Sequence, residues 1–251
     1  MRRTLYTRCR MMFREIKKKQ LILENRKPYS SEVCKYIREM DMADWIHSSM
    51  RLDGSVLSRH DVETILKGEL VAEASLSEHL LVEKYSSLFK AVQSSLAISS
   101  SLSREMIFSF HRMLAGEGAT CYRKGNPVLL AINYNPPHPS EIEEQMDILM
   151  GWFYSADMEP DPITKAVCLH HRIIEIYPFD EHTEAVARAA MYYFLLENRY
   201  PVFEISMSEQ EYNRALMEYL KKENLQPFCL EVERSLLNKM ELLIQLTAQQ
   251  N

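Results

Sequence analysis

Glycine is scarce in this chain, with six in 251 residues and none after Gly151. The last hundred residues therefore hold no side chain that enters left-handed backbone freely or lets the main chain curl closely around a ligand. Metal patterns are missing too. No CxxC or HExxH occurs, which speaks against structural zinc. The five cysteines (Cys9, Cys34, Cys121, Cys168, Cys229) are odd in number and scattered. They suit free thiols in a reducing cytoplasm better than a disulfide framework. No apolar run approaches the ~18 residues of a membrane span. Arg and Lys interrupt the N-terminus throughout, so no signal peptide is expected.

Charge is present but uneven. The net charge of −5 gives no global reason to expect a nucleic-acid partner. Residues 1–28 nevertheless carry ten Lys/Arg against Glu15 and Glu24, which leaves the remainder near −13. A basic amphipathic N-terminus could touch nucleic acid or an anionic membrane. Its stripe of Leu5, Cys9, Met12, Phe13 and Ile16 reads more simply as one helix packed on the body.

The apolar periodicity is overwhelmingly helical. Ser140 with Glu143 reads as a capping box. Asp161-Pro162 reads as an N-cap followed by Pro at the first helical position, opening a helix that Tyr177-Pro178 ends. Glu184 to Leu196 reads as a buried helix with Val186, Ala190, Met191, Phe194 and Leu195 inward. Ser208 with Glu211 is a second capping box, and Pro227 begins a last helix. Ser94–Ser103 fits a short connection between helices. The one interruption runs from Gly116 to Pro137. Inside it, Val128, Leu129, Leu130, Ala131 and Ile132 form a plausible strand of a β-hairpin.

The stretch from His170 to Arg188 (HHRIIEIYPFDEHTEAVAR) resembles the signature of the Fic (Fido) family, in which a helix ends in HPF and an anion-binding turn opens the next helix with GNGRxxR. Other segments resemble the family in the same order. Ser49 to Gly54 is similar to the inhibitory helix, written (S/T)xxxE(G/N), with Ser49 and Gly54 matching and Asp53 where Glu is usual. Gly68-Glu69 and Glu78-His79-Leu80 resemble the segments that follow it. Tyr122-Arg123 and Val128–Ile132 resemble the target-docking flap, and Pro136-Pro137 through Trp152 the segment after it. Ala215-Leu216 and Pro227-Phe228 resemble the end of the core. The likeness spans roughly residues 31–240. It implies an all-α fold with a small β-hairpin flap, an N-terminal helical region over 1–95 and a Fic-like core over 96–240. Family members transfer AMP from ATP to protein hydroxyls with Mg²⁺.

Nucleotidyl transfer needs a base, a phosphate cradle, a metal and positive charge. Tyr177 stands at the place of the family's histidine base, and a phenol's ordinary pKa near ~10 leaves it without a proton-accepting form at neutral pH. His182 is a second candidate base from a shifted position. His182-Thr183-Glu184 replaces the glycine turn, and Glu184 puts a carboxylate where phosphate would sit, so that it blocks the seat. Ala185 replaces the first signature arginine. Arg188 keeps the last, either as a phosphate contact or as an i,i+4 ion pair with Glu184. Glu181 matches the acidic metal position, though one carboxylate holds Mg²⁺ poorly without phosphates. In the family the inhibitory glutamate pairs with the last signature arginine; Asp53-Gly54 can also be read as a helix end. His170 reads as structural.

Besides a residual site for another small molecule, with Tyr177, His182 and Arg188 as its polar groups, two functions remain open on the sequence. One is a catalytically impaired relative of protein adenylyltransferases, acting as a binding or regulatory module for a protein partner docked on the flap, with no membrane and no firm cofactor. The other is an active AMP transferase with an altered site, which would need Mg²⁺ and ATP. Target, donor and oligomeric state are not legible.

Overall fold

The computed structural model describes residues 2–97, 101–119, 121–155 and 161–248, with side chains from Met12 onward. Among the described residues there are ten α-helices: α1 Arg2–Asn25, α2 Ser31–Leu52, α3 Arg59–Leu66, α4 Leu76–Ala97, α5 Arg104–Ala115, α6 Ile142–Tyr154, α7 Pro162–Ile176, α8 Thr183–Glu197, α9 Glu209–Lys222 and α10 Gln226–Leu246. Their starts follow local chemistry. Asp161 accepts hydrogen bonds from the N–H groups of Ile163 and Thr164 with Pro162 next to it, and Ser208 with Glu211 forms a reciprocal capping box. The expected box at Ser140–Glu143 does not form. His138 Nδ1 accepts from the Ser140 amide, Pro139–Glu141 turns as 3-10 helix, and α6 starts at Ile142 without a side-chain cap. Ser94 to Leu96 belong to the end of α4 rather than to a connection; Ile98 lies outside the described residues.

α7 and α8 pack as the central pair, and α8 is buried on nearly every side, from Thr183 to Tyr193 with Glu184 as the exception. A helix enclosed all round needs small and apolar residues on every face, which Ala185-Val186-Ala187 and Ala189-Ala190-Met191 supply. One contiguous core reaches from Ile16 and Leu23 in α1 to Leu243 in α10. α1 lies along α10, so its stripe faces the body at Ile16, with Phe13 partly buried; the side chains of Leu5 and Cys9 lie outside the described ones. Lys19 of α1 pairs with Glu241 of α10, and Arg26, just past α1, donates to the hydroxyl of Thr247, just past α10, at 2.9 Å. Among the described residues, no helix is long and apolar enough to cross a membrane.

Among the described residues the expected flap hairpin is reduced to a single antiparallel bridge. Leu129 and Tyr134 exchange one pair of backbone hydrogen bonds (2.9 and 3.2 Å), and between them Leu130–Ile132 winds into a 3-10 turn that Asn133 closes in left-handed conformation, φ 49°. Pro127 on one side and Pro136-Pro137 on the other lack the N–H groups that a longer ladder would use. Val128 and Leu130 are 62% and 85% exposed, whereas Ile132 is buried.

Candidate functional site

The turn between α7 and α8 holds its shape without glycine. Tyr177 ends α7 in left-handed conformation (φ 48°, ψ 62°), and His182 enters α8 in the same region (φ 62°, ψ 15°). Each costs ~1 kcal/mol or more for an L-residue with a Cβ. Side-chain contacts compensate. The Thr183 hydroxyl accepts from the Phe179 amide (3.2 Å) and donates to the Phe179 carbonyl (3.1 Å). Phe179 is fully buried, with His111 stacked on it at 3.9 Å between ring centroids. Arg123, 2% exposed, donates to four backbone carbonyls: Tyr177 (2.6 Å), Gly125 (2.7 Å), Pro137 (2.6 Å) and Ile176 (3.4 Å). It caps the negative end of α7 and ties it to the 116–137 loop. Tyr134 adds a hydrogen bond to the Glu175 carbonyl at 2.9 Å.

Tyr177 and Glu184 meet across this turn. The phenol donates to Glu184 Oε2 at 3.4 Å. Burial, then the Glu184 carboxylate, pushes the Tyr177 pKa above its ordinary value, the wrong direction for a base. Burial also raises Glu184, outweighing the backbone hydrogen bond at the helix start. His182 is half-buried and its side chain caps nothing; burial lowers its pKa and keeps the imidazole neutral. Glu181 is exposed. Among the described residues, no three His, Cys, Asp or Glu side chains gather as a metal site.

Arg188 does not pair with Glu184. It is 0% exposed and reaches across to the end of α2, where Nη2 donates to Asp53 Oδ2 at 2.6 Å and to the Ser49 carbonyl at 3.1 Å. Asp53 ends the helix with its backbone and pairs with Arg188 through its side chain. Its backbone N–H closes the last turn of α2 onto Ser49 and Met50, Gly54 follows at φ 89°, and its carboxylate is left free for Arg188. The Tyr85 hydroxyl donates to the same Asp53 oxygen at 2.9 Å, and the Tyr212 ring lies 5.8 Å from the Arg188 guanidinium carbon. His170 Nε2 lies 2.9 Å from the Tyr212 hydroxyl, a buried structural role. Tyr85 and Tyr212 were not legible as site residues, and Arg123 was legible only as part of the flap-like segment. Each falls in an apolar or loop pattern that reads as packing.

A cleft of about 490 Å³ opens on the turn. Asp53, Glu181, Glu184 and Glu209 line it together with His182 and Tyr212, and Ala131 of the loop borders it. Among the described residues no Lys or Arg lines it.

Residues 101–195 match the Fic/DOC family. The chain carries a Fic-family domain. Its fold extends the likeness beyond that segment. A Fic domain-containing signalling protein from Bacteroides thetaiotaomicron superposes with TM-score 0.82 at 20% identity, over 94% of this chain and 98% of that one. Caenorhabditis elegans Fic-1 (residues 134–508) superposes with TM-score 0.84 at 18% identity, over 99% and 75%. In sequence, the "Protein adenylyltransferase Fic" of Nematostella vectensis is 27% identical over 199 residues, 75% of this chain and 45% of the relative. "Protein adenylyltransferase fic-1" of Caenorhabditis elegans is 20% identical over 196 residues, 76% and 39%. The chain thus spans less than half the length of these curated relatives.

The expected site residues fall in two groups, the first inside the matched segment and the second before it. Tyr177, Glu181, His182, Thr183 and Glu184 share the α7–α8 turn, and Ser49, Asp53 and Gly54 share the end of α2, joined to the turn's helix through Arg188. Of Val128, Leu129, Leu130, Ala131 and Ile132, Ala131 borders the cleft. Mg²⁺ with ATP does not fit these residues. The glycine turn is absent, the helix start carries Glu184, and Glu181 belongs to no group of three metal-ligating side chains among the described residues.

Proposed function

We propose that this chain is a catalytically impaired Fic-domain protein, a pseudoenzyme that works as a binding or regulatory module in the cytoplasm. One observation carries the reading: the Tyr177 hydroxyl, at the place of the family's base, donates to Glu184, at the place of the family's phosphate seat. Base and seat are thus occupied by each other. A carboxylate there also repels triphosphate, and the remaining signature cation, Arg188, is held by Asp53. The partner is a protein that docks on the 116–137 loop, where Val128 and Leu130 stand exposed. Cys34, Cys121, Cys168 and Cys229 form no disulfide, which suits a reducing compartment.

Calorimetric titration with ATP and Mg²⁺ tests the reading. No saturable heat is expected at millimolar nucleotide, and micromolar binding would overturn it. The Asp53–Arg188 pair favours a second reading, an AMP transferase held inactive, because a restraining contact has a purpose only over a working site. That reading expects label from ATP to move to protein in Asp53→Ala and to be lost on adding Glu181→Ala. An unlabelled Asp53→Ala protein removes it.

A further inference from the structure

On another face of the molecule, α2, α3 and α4 enclose a hollow of about 540 Å³, within the size range of small-molecule sites. Its lining is graded. Ala43 and Ser86 are buried at the floor, and Met40, Met42 and Leu66 are half-buried along the walls. Arg38, Lys67 and Lys90 stand exposed around the mouth, one each from α2, the end of α3 and α4. Among the described residues none of these three has a carboxylate at ion-pair distance. Arg59, also in the lining, is already held by Asp44 (2.7 Å) and Glu63 (2.6 Å). Glu39 lies at the exposed rim, 3.9 Å from Lys35. In a chain of net charge −5, this is a local reversal of sign over an apolar recess.

The floor carries one polar group. Ser86 is 6% exposed, and its hydroxyl faces the thioether of Met42 at 3.5 Å. Sulfur is a weak acceptor, so the hydroxyl keeps capacity for a better one. Methionine walls adapt to varied chain shapes at little cost.

We propose that this hollow binds a free, medium-length alkyl carboxylate. Its chain lies against Met40, Met42 and Leu66, and its carboxylate is held at the mouth by Lys67, Lys90 and Arg38. A charged group bridged by several cations gains charge-assisted hydrogen bonds, while the chain leaves water. The apolar groups are recessed below the cations, so a flat bilayer or a partner helix would meet the charges before the methionines. This selects a slender ligand.

Titration of the full chain with decanoate, read by calorimetry and by ¹³C-methyl methionine spectra, tests the proposal. Saturable binding is expected, with the Met40 and Met42 methyl signals shifting (assigned through Met40→Leu and Met42→Leu). Decanol should bind at least tenfold more weakly. The surface variant Lys67→Glu/Lys90→Glu should keep the wild-type circular dichroism and lose at least tenfold in affinity. Ser86→Leu, which fills the floor, should abolish binding; if it does not fold, the surface variant decides alone. Equal binding of decanol, unmoved Met40 and Met42 signals, or wild-type affinity in Lys67→Glu/Lys90→Glu would each overturn the proposal. So would binding to anionic phosphatidylserine vesicles or to poly-glutamate in the absence of decanoate binding.

Discussion

Arg188 concentrates the physics of the site in one side chain. A guanidinium with no solvent contact needs polar partners, and Asp53, 135 residues away in sequence, supplies a charged one. Removing that partner leaves an uncompensated buried cation. Asp53→Ala is therefore expected to lower stability by about 3 kcal/mol in urea unfolding. Adding Arg188→Leu should restore part of the loss, since the pair as a whole is dispensable where apolar packing replaces it. A double variant no more stable than the single one would show that Asp53 acts elsewhere. The sequence offered Arg188 two partners, and the nearer one, Glu184, obeyed the i,i+4 rule. That rule describes helices whose sides face water. α8 is enclosed on nearly every side, so the guanidinium follows tertiary neighbours instead, and no local spacing announces them.

At the scale of elements, what was legible is what is coded within a few residues. The N-caps Asp161 and Ser208, the stop at Tyr177-Pro178 and Pro227 in the first turn of α10 all act over one helical turn, and all stand where the sequence puts them. The 116–137 loop was not legible in the same way. Val128 to Ile132 has strand-like hydrophobicity, but a strand needs a partner, and the flanking prolines leave one bridge and a 3-10 turn. The α7–α8 turn carries its own test. His182 holds left-handed backbone that glycine would hold without a steric penalty. Comparing His182→Gly with His182→Ala removes the imidazole from both. The glycine variant is expected to be more stable by about 1 kcal/mol, a shift of roughly 2–4 °C in thermal midpoint for a chain of this size. Equal midpoints would mean that the turn relaxes out of that region once the ring is gone.

At the scale of the whole molecule, the amino-terminal and carboxy-terminal segments are bound through charges as well as core. Lys239 on α10 sits between Asp41 (2.6 Å) and Asp44 (3.0 Å) on α2, and Asp44 also receives Arg59. Burial outweighs the ammonium and pushes the Asp41 pKa from 3.8 up to about 6. The folded protein thus binds the proton more tightly than the unfolded chain does. Its contribution to stability is fully present below pH ~4 and is lost as pH rises through about 6. Wild type minus Asp41→Asn should trace that loss, up to about 3 kcal/mol, in urea midpoints collected from pH 4 to 7. A flat difference would place the titration on other groups. None of this was readable from the chain. Asp41, Asp44 and Lys239 look like ordinary surface charges until three helices converge on them.

Arg123 gives this fold a mechanical property. It is buried without a carboxylate, and its guanidinium and backbone N–H fasten both the loop, at Gly125 and Pro137, and the last turn of α7, at Ile176, Tyr177 and Pro178. Arg123 is therefore the main rivet between loop and turn, beside the Tyr134 hydrogen bond to the Glu175 carbonyl. A pull on the loop is delivered to Tyr177 with little slack, because planar guanidinium geometry resists shear along each of its donors. The link runs through side-chain hydrogen bonds to main-chain oxygens, so it is insensitive to which side chains the loop displays. The loop's exposed side chains can therefore change while its hold on the end of α7 stays fixed.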